Sequence, residues 1–279
     1  MREVKIRKRS GSYRTVVCPE RSEKRALRQL LPQLSAVAMA LDVHGVQHGF
    51  VTGRSPVTNA KKHIGYAFSL CCDLSDCFDN IKIKQMKGLE QAVPSACFYQ
   101  GVARQGLPTS PAVCNIALAL MDSEIIQALG GRGVYTRYAD DLTISSNSRE
   151  VVGEMLEKIT QIVKNHGQQL ATHKTKILFS KAGRRNITGV AVSDTGIHPT
   201  RKIKRRLRAA KHQNHQAQKR GLEEWCLLRP PNWMKLAMRL VDEAKNTHPK
   251  RKYYWKKYRH QLLREHRESL FRAIVASNK

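Results

Sequence analysis

Two adjacent aspartates, Asp140 and Asp141, are the residues of this chain best suited to chemistry. Apolar and aromatic residues stand on both sides of them, which predicts two short strands joined by a tight turn with both carboxylates at its tip. Like charges repel, so the pair costs stability unless a cation sits between them. A bare Asp-Asp pair is also typical of a solvated turn, so the surrounding sequence must decide between the two interpretations.

A third aspartate, Asp73, ends an upstream apolar run that we predict to be a buried strand over Tyr66 to Asp73. Three carboxylates at strand ends form a seat for two Mg²⁺ ions, about 3.5–4 Å apart, that activate an attacking hydroxyl and stabilise a leaving phosphate oxygen. Mn²⁺ could replace Mg²⁺ there. We predict that Asp73, Asp140 and Asp141 are catalytic and bind the metals. Asp141 takes the more peripheral place, because neighbours on a strand point apart.

The chain has 279 residues and a net charge of +28. Such a basic surface favours an extended polyanion as partner. We find no apolar run near the length of a spanning helix and no apolar segment behind the basic N-terminus, so we expect a cytoplasmic protein without a membrane partner. The seven cysteines are odd in number and none has zinc-knuckle spacing, which argues against disulfides and a metal cluster.

Lys and Arg are densest after residue 200, in a part of the chain with helical periodicity, whereas the preceding part mixes strands and helices. The helices that we predict are Arg21 to Leu41 with a kink at Pro32, Lys82 to Ala92, Ser110 to Leu129, Ser148 to His166, Thr200 to Lys219, Asn232 to Lys245 and Trp255 to Ile274. Besides the strands already named, short strands are predicted at Ile177 to Phe179 and Ile187 to Val192.

Three motifs resemble the central motifs of reverse transcriptases, in the right order and at compatible spacing. They are Asp73-Leu74-Ser75-Asp76-Cys77-Phe78, Gln105-Gly106-Leu107-Pro108-Thr109-Ser110-Pro111 and Tyr138-Ala139-Asp140-Asp141. Each motif alone is a weak signal, and the three together are specific. The resemblance covers roughly residues 12–200.

The resemblance implies an α+β fold in the form of a right-hand polymerase. It would have fingers, a palm whose antiparallel sheet is backed by helices, and a C-terminal helical thumb. We expect the first part of the fingers at residues 1–65 and the palm at 66–195, with the remaining fingers segment at about 80–104. The basic thumb would then occupy residues 196–279.

The same resemblance implies a set of nucleotide-binding residues: Arg14, Arg54, Phe78, Gln105 and Lys174. The ring of Phe78 would lie under the incoming sugar and leave no room for a 2′-hydroxyl, so the substrates would be deoxynucleoside triphosphates. Gln105 would touch the nucleotide, and Arg14 and Arg54 would grip its triphosphate. Lys174 would protonate the leaving pyrophosphate, with Lys176 as a competing candidate.

Two smaller motifs are similar to elements of retron reverse transcriptases. Asn59-Ala60-Lys61-Lys62-His63 matches an Asn-Ala-x-x-His element, and Ile187-Thr188-Gly189 matches a Val-Thr-Gly element with Ile for Val. We therefore expect an RNA-binding set made of these motifs and of basic residues in the C-terminal part: Asn59, His63, Ile187, Thr188, Gly189, Arg205, Arg206, Arg208, Lys256 and Lys257. The basic residues could instead form a solubilising face, since charge runs are usually solvated.

A retron enzyme would bind its cognate structured non-coding RNA, prime DNA synthesis from a 2′-hydroxyl of that RNA and make a branched RNA–DNA hybrid. With an effector protein, this product would act in defence against phage. Three alternatives stay open at this point. They are a reverse transcriptase of an intron or CRISPR-associated lineage, a non-catalytic RNA-binding scaffold, and a template-independent nucleotidyltransferase.

Overall fold

The computed structural model describes residues 1–7, 11, 13–86, 88–89 and 91–229. Their backbone contacts divide them into two units. The first unit holds the described residues of 1–45 and 76–120, and the second holds 46–75 and 121–229. The division into fingers, palm and thumb stays a prediction.

The described residues form both helices and strands, and the strands of all three sheets pair antiparallel, as in an α+β fold. The strands and α-helices of the described residues are β1 (Arg2–Arg7), β2 (Tyr13–Cys18), α1 (Arg21–Gln29), α2 (Leu31–Leu41), α3 (Pro56–Lys61), β3 (Phe68–Asp73), α4 (Ser110–Ala117), α5 (Ala119–Leu129), β4 (Val134–Tyr138), β5 (Asp141–Ser146), α6 (Arg149–Asn165), β6 (Lys176–Phe179), β7 (Arg185–Ile187), β8 (Val190–Val192), β9 (Ile197–Pro199), α7 (Arg201–His212) and α8 (Gln216–Cys226). Short 3-10 helices lie at Cys77–Asn80, Ile83–Met86, Ser95–Cys97, Thr172–Lys174 and Ser180–Ala182.

In the first unit, β1 and β2 form an antiparallel hairpin. The inner side of β2 packs through Val17 against Leu27 of α1 and against Leu107. Gly106 lies against the same strand with a φ of +102°, and a Cβ at this position would stand 2.2 Å from the carbonyl oxygen of Val17. Only glycine therefore allows this approach of the 105–107 segment to β2.

The second unit is built on a four-stranded antiparallel sheet in the order β4-β5-β3-β6. Helix α6 packs on β3 and β5. The helix begins behind Ser148, whose hydroxyl accepts a hydrogen bond from the Val151 amide at 3.1 Å. Its buried residues follow a helical period and face the sheet: Val152, Met155, Ile159 and Val163.

A smaller antiparallel sheet, β7-β8-β9, lies beside α3 in the same unit. Val57 and Ala60 of α3 form a buried cluster with Ile187 of β7 and with Val190 and Val192 of β8. This cluster joins the Asn-Ala-x-x-His segment to the Thr-Gly segment, although they lie far apart along the chain.

Several boundaries differ from those predicted. The helix predicted at Lys82 to Ala92 is wrong. Among the described residues of this range, only Ile83–Met86 is helical, and Gly88 takes a φ of +85° that an α-helix does not accept. The predicted strand at Ile187 to Val192 is a hairpin instead, with its turn at Thr188 and Gly189.

Three long predicted helices are each divided in two. The first breaks at Leu30, with Pro32 in the first turn of α2, where proline is tolerated. The second breaks at Leu118, and the third ends near Asn214, which has a φ of 53°. The predicted helices Asn232 to Lys245 and Trp255 to Ile274 lie outside the described residues.

The expectation that no apolar run is long enough to cross a membrane was wrong by length and composition. Among the described residues, the helical stretch Ser110–Leu129 has 20 residues. Its most apolar window has a mean hydropathy of 1.4 and is 61% buried inside the protein. Such burial is typical of helices in a protein core, here α4 and α5.

Candidate active site

The pairing of β3 with β5 brings together carboxylates that are distant along the chain. Asp73, the last residue of β3, is the cross-strand partner of Asp141, the first residue of β5. One residue further on, the Leu74 amide donates a hydrogen bond to the Asp140 carbonyl at 3.0 Å. All three predicted catalytic aspartates therefore lie at one edge of the four-stranded sheet.

The turn that carries Asp140 has two residues between the paired positions Tyr138 and Asp141. Its first residue, Ala139, has a φ of 58°, a conformation that costs a residue with a Cβ roughly 1–2 kcal/mol. Gly49 lies against this turn, and a Cβ on it would stand 2.2 Å from the Ala139 amide nitrogen. The backbone thus accepts local strain where Asp140 is presented, as functional sites often do.

The electrostatics of this edge show that the carboxylates crowd one another. Burial and the negative charges of Asp140 and Asp73 together raise the pKa of Asp141 from its ordinary value to about 6. Lys174 acts in the opposite direction. A cation placed among these carboxylates would relieve the repulsion.

A lysine already supplies part of that positive charge. The Nζ of Lys174 lies 2.7 Å from Oδ1 of Asp73, and this hydrogen bond raises the pKa of Lys174. The backbone holds the lysine there, because the Ala171 amide, just before the 3-10 helix Thr172–Lys174, donates to the Asp73 carbonyl at 2.7 Å. Lys176 instead lies exposed on β6, opposite Cys71. Of the two candidate lysines, Lys174 is therefore the one that reaches the carboxylates.

The donor set at this edge fits divalent metal ions. Mg²⁺ prefers carboxylate oxygens and fills its remaining positions with water and substrate phosphate, so one or two carboxylates suffice. Asp73 and Asp141 supply these oxygens from adjacent strands, and the ammonium of Lys174 shows that the edge accepts a cation. Within the described ranges, no group of three or more His, Cys, Asp or Glu side chains has the geometry of a preformed metal site.

The other predicted nucleotide-binding residues are divided between the two units. Arg54 belongs to the second unit, where its guanidinium donates to the Gln47 carbonyl. Arg14, Phe78 and Gln105 belong to the first unit. Arg14 is exposed on β2, Phe78 is half-buried in the helix Cys77–Asn80, and the Gln105 carbonyl accepts from the Val17 amide at 2.8 Å.

The Asn-Ala-x-x-His motif lies in the interior. His63 is fully buried, with Nδ1 2.8 Å from Ser145 Oγ and Nε2 2.7 Å from Thr136 Oγ1. Burial lowers the pKa of His63 to about 3, and the charge of Arg185 contributes to the shift. The imidazole is therefore a neutral link between α3 and the sheet.

Asn59 and Ile187 are also fully buried, and Asn59 donates to Thr188 Oγ1 at 3.2 Å. The side chains of Asn59, His63 and Ile187 are buried in this structure, and their RNA contacts stay a prediction. These residues support the β7–β8 hairpin from beneath. Half-buried Thr188 and exposed Gly189 form its tip, with φ values of 45° and 82°.

The predicted basic RNA-binding residues fall in two places. Arg205, Arg206 and Arg208 are exposed on α7. Lys256 and Lys257 lie outside the described residues. The basic face of α7 is thus available to a polyanion.

Two buried arginines near the site were not predicted. Arg137, one residue before Tyr138, forms an ion pair with Asp122 of α5, and both side chains are almost completely buried. Arg185 is fully buried beside His63. The sequence did contain a signal for the first pair, because Arg137 stands among the aromatic and apolar residues of β4 and Asp122 directly follows the apolar residues 119–121 of α5.

A family model described as "Reverse transcriptase (RNA-dependent DNA polymerase)" matches residues 6–215 of the chain. This match spans most of the sequence and includes the whole carboxylate edge. The chain belongs to the reverse transcriptase family.

Within this family, the curated relatives of the chain include retron reverse transcriptases. It is 34% identical to the retron Mx162 reverse transcriptase of Myxococcus xanthus over 78% of the chain and 53% of that protein. It is 29% identical to the retron Ec86 reverse transcriptase of Escherichia coli over 71% of the chain and 64% of that protein. The reverse transcriptase chain thus spans less than two thirds of either relative.

Solved structures agree on the fold. The telomerase from Candida albicans, solved with a fragment of telomeric RNA, matches 71% of the chain and 46% of its own length, with 14% identity and a TM-score of 0.53. At this identity the likeness concerns the fold alone. It confirms the α+β reverse transcriptase architecture predicted from the motifs.

Proposed function

We propose that the protein is an RNA-directed DNA polymerase of the retron type. It would bind a structured non-coding RNA and copy part of it into single-stranded DNA from deoxynucleoside triphosphates. The observation that carries this proposal is the register of β3 and β5, which places Asp73 opposite Asp141 with Asp140 in the adjoining turn. Family membership and the retron relatives support it.

Two bound Mg²⁺ ions, for which Mn²⁺ could substitute, would activate the attacking hydroxyl and stabilise the leaving oxygen. The residues that would hold them are Asp73, Asp140 and Asp141. Lys174 lies next to Asp73 with its pKa raised, so it is charged at neutral pH and placed to donate a proton to a leaving pyrophosphate. Phe78 would exclude ribonucleotides, and Gln105, Arg14 and Arg54 would contact the nucleotide.

The RNA partner would meet two exposed features of the second unit. One is the basic face of α7 with Arg205, Arg206 and Arg208, and the other is the hairpin tip Thr188–Gly189. Phosphate contacts from α7 should make binding strongly dependent on salt. The likeness to retron enzymes further supports priming from a 2′-hydroxyl, a branched RNA–DNA product and a role in phage defence with an effector protein. We place the enzyme in the cytoplasm, where its seven free cysteines stay reduced.

Primer extension on an RNA template tests the catalytic claim. Wild-type protein with Mg²⁺ should extend a DNA primer with the complementary sequence, and Asp140→Asn should abolish synthesis while RNA binding persists. Asp194→Asn, an exposed aspartate of the same unit, is the matched control and should extend normally. Products that ignore the template would indicate a nucleotidyltransferase, and equal inactivity of all three proteins on every template would leave only an RNA-binding role.

Sequencing of the nucleic acid that purifies with the protein tests the retron claim. We expect one structured RNA joined covalently to a short DNA through a 2′,5′ linkage that a debranching enzyme removes. Free cDNA without a branch would instead assign the chain to another reverse transcriptase lineage. Replacing Arg205, Arg206 and Arg208 by Gln should weaken RNA binding and flatten its salt dependence, and an unchanged slope would show that these charges face only solvent.

A further inference from the structure

A buried ion pair lies directly behind the turn that carries Asp140. The guanidinium of Arg137 grips Asp122 with two bonds, Nε to Oδ1 at 2.8 Å and Nη2 to Oδ2 at 2.7 Å. The side chain of Arg137 is 0% exposed and that of Asp122 is 4% exposed. Two parallel bonds fix the plane of the guanidinium as well as its position.

Two further donors hold Asp122 in place. Tyr135 Oη donates to Oδ1 at 2.8 Å, and Gln47 Nε2 donates to Oδ2 at 3.3 Å. Burial and the neighbouring charge of Asp122 raise the pKa of Tyr135 well above its ordinary value, so the phenol remains a donor. The carboxylate therefore receives bonds from three side chains and has one orientation.

The remaining nitrogen of Arg137 reaches the catalytic turn. Nη1 donates to the carbonyl oxygen of Ala139 at 3.1 Å. This carbonyl belongs to the peptide bond that joins Ala139 to Asp140. Because a peptide unit is planar, the direction of the carbonyl fixes the orientation of the backbone at Asp140. Ala139 is the residue with the unfavourable positive φ, and this contact helps to hold it there.

The backbone of Arg137 is held on its other side by the segment before Gly49. The Arg137 amide donates to the Val46 carbonyl at 2.9 Å, and the His48 amide donates to the Arg137 carbonyl at 2.7 Å. Both the main chain and the side chain of Arg137 are thus bound to elements outside its own hairpin. The pair links α5 to the Ala139–Asp140 peptide.

We propose that Arg137 and Asp122 are positioning residues that set the orientation of the turn presenting Asp140. A buried ion pair gives little net stability, and apolar residues of similar volume often replace one without loss. An apolar pair would have no donor for the Ala139 carbonyl. The forked guanidinium meets this requirement, because it binds a carboxylate on one edge and a carbonyl with its remaining nitrogen. Only the predicted effect on kcat rests on the proposed polymerase function.

The test uses variants that separate orientation from stability. Arg137→Lys keeps the charge opposite Asp122 but cannot bind the carboxylate twice and the Ala139 carbonyl at once. The double variant Arg137→Gln with Asp122→Asn removes both charges, so no buried charge is left alone. Arg132→Lys is the matched control, because Arg132 forms a similar two-bonded pair with Glu154 on the surface.

In single-nucleotide extension, we expect Arg137→Lys and the double variant to lower kcat at least tenfold. The KM for nucleotide and the Kd for RNA should stay within twofold, and Arg132→Lys should match wild type. A loss of thermal stability with wild-type kcat would overturn the proposal, because the pair would then serve only the fold.

Amide hydrogen exchange across residues 138–141 supplies a readout that does not need activity. We expect exchange there to rise at least tenfold in both Arg137 variants and to stay unchanged in Arg132→Lys. Unchanged amide exchange at residues 138–141 together with an unchanged kcat would overturn the proposed positioning role. If the wild type itself makes no DNA, the proposed function fails, and the exchange rates alone decide whether the pair holds the turn.

Discussion

Arg137 and Arg185 are both fully buried in the second unit, but their surroundings differ. Arg137 meets the carboxylate of Asp122 with two short bonds. Arg185 meets neutral groups, Ser69 Oγ at 3.0 Å and the His63 carbonyl at 3.1 Å, and its Nε has no hydrogen-bond partner. Its nearest carboxylate oxygen, on exposed Asp194, is 4.0 Å away.

The difference teaches that a buried positive charge can be compensated in two ways. Opposite charge compensates Arg137, whereas Arg185 relies on neutral acceptors, and burial lowers its pKa. The charged pair stands behind the turn that carries Asp140, where our proposal requires a fixed orientation. The neutral network fastens the motif around His63 to the sheet, where it mainly has to hold elements together. Replacing Arg137 and replacing Arg185 should therefore lower the free energy of unfolding by different amounts.

The largest expected effect is the loss of unfolding free energy in Arg137→Met. This change leaves Asp122 buried without its counter-ion, which costs about 3–5 kcal/mol of unfolding free energy. Urea denaturation measures the loss. The double variant with Asp122→Asn is the control, since it should recover most of the lost stability, and an equal loss in both would show that charge compensation is not what distinguishes this cluster.

Arg185→Met should cost less, about 1–3 kcal/mol, because it leaves only neutral acceptors without a donor. The same denaturation experiment compares the two methionine variants directly. The comparison between the clusters would break if Arg185→Met proved as destabilising as Arg137→Met.

Acid should weaken the Arg185 network, which includes His63. The pKa of His63 is lowered from 6.5 to about 3 by burial and by Arg185. Between pH 6.5 and about 3, His63 is therefore protonated in the unfolded chain but neutral in the folded chain. The free energy of unfolding falls as the pH drops below about 6.5. The loss from this group should reach about 2 kcal/mol at pH 5, since one pKa unit corresponds to about 1.4 kcal/mol.

The check is the pH dependence of unfolding in wild type and in His63→Gln, which cannot take up the proton. The variant should show a flatter profile between pH 6.5 and 5. His48 has a pKa lowered to about 4 by burial, so His48→Gln is the companion variant that separates the two contributions. An unchanged slope in both variants would mean that the interior histidines are not the source.

The smallest effect concerns the ion pair of exposed Lys174 with half-buried Asp73. The side chain of Lys174 is 54% exposed, so its ion pair should contribute no more than about 1 kcal/mol. Because the lysine would compete with the proposed Mg²⁺ for the same carboxylate, Lys174→Met should show a larger rise of Tm on addition of Mg²⁺ than wild type. Lys176→Met, on the neighbouring strand, should behave as wild type, and an equal response of all three proteins would rule out the competition.

Much of the site followed from local sequence. The apolar run before Asp73 and the aromatic and apolar residues around Asp140 predicted strands that end in carboxylates, because strand alternation and turn chemistry act over a few residues. The helix predicted at Lys82 to Ala92 failed for a local reason as well, since the conformation of Gly88 outweighed the apolar periodicity.

By itself, the sequence determined the family of this protein and the three aspartates that its motifs place at strand ends. Only the tertiary structure decided that Asn59 and His63 are interior supports, that Lys174 and not Lys176 reaches Asp73, and that Arg137 finds Asp122. The physical reason is that burial and hydrogen-bond partners come from segments far apart along the chain. Lys174 and Asp73, which are 101 residues apart, meet only once the sheet has formed.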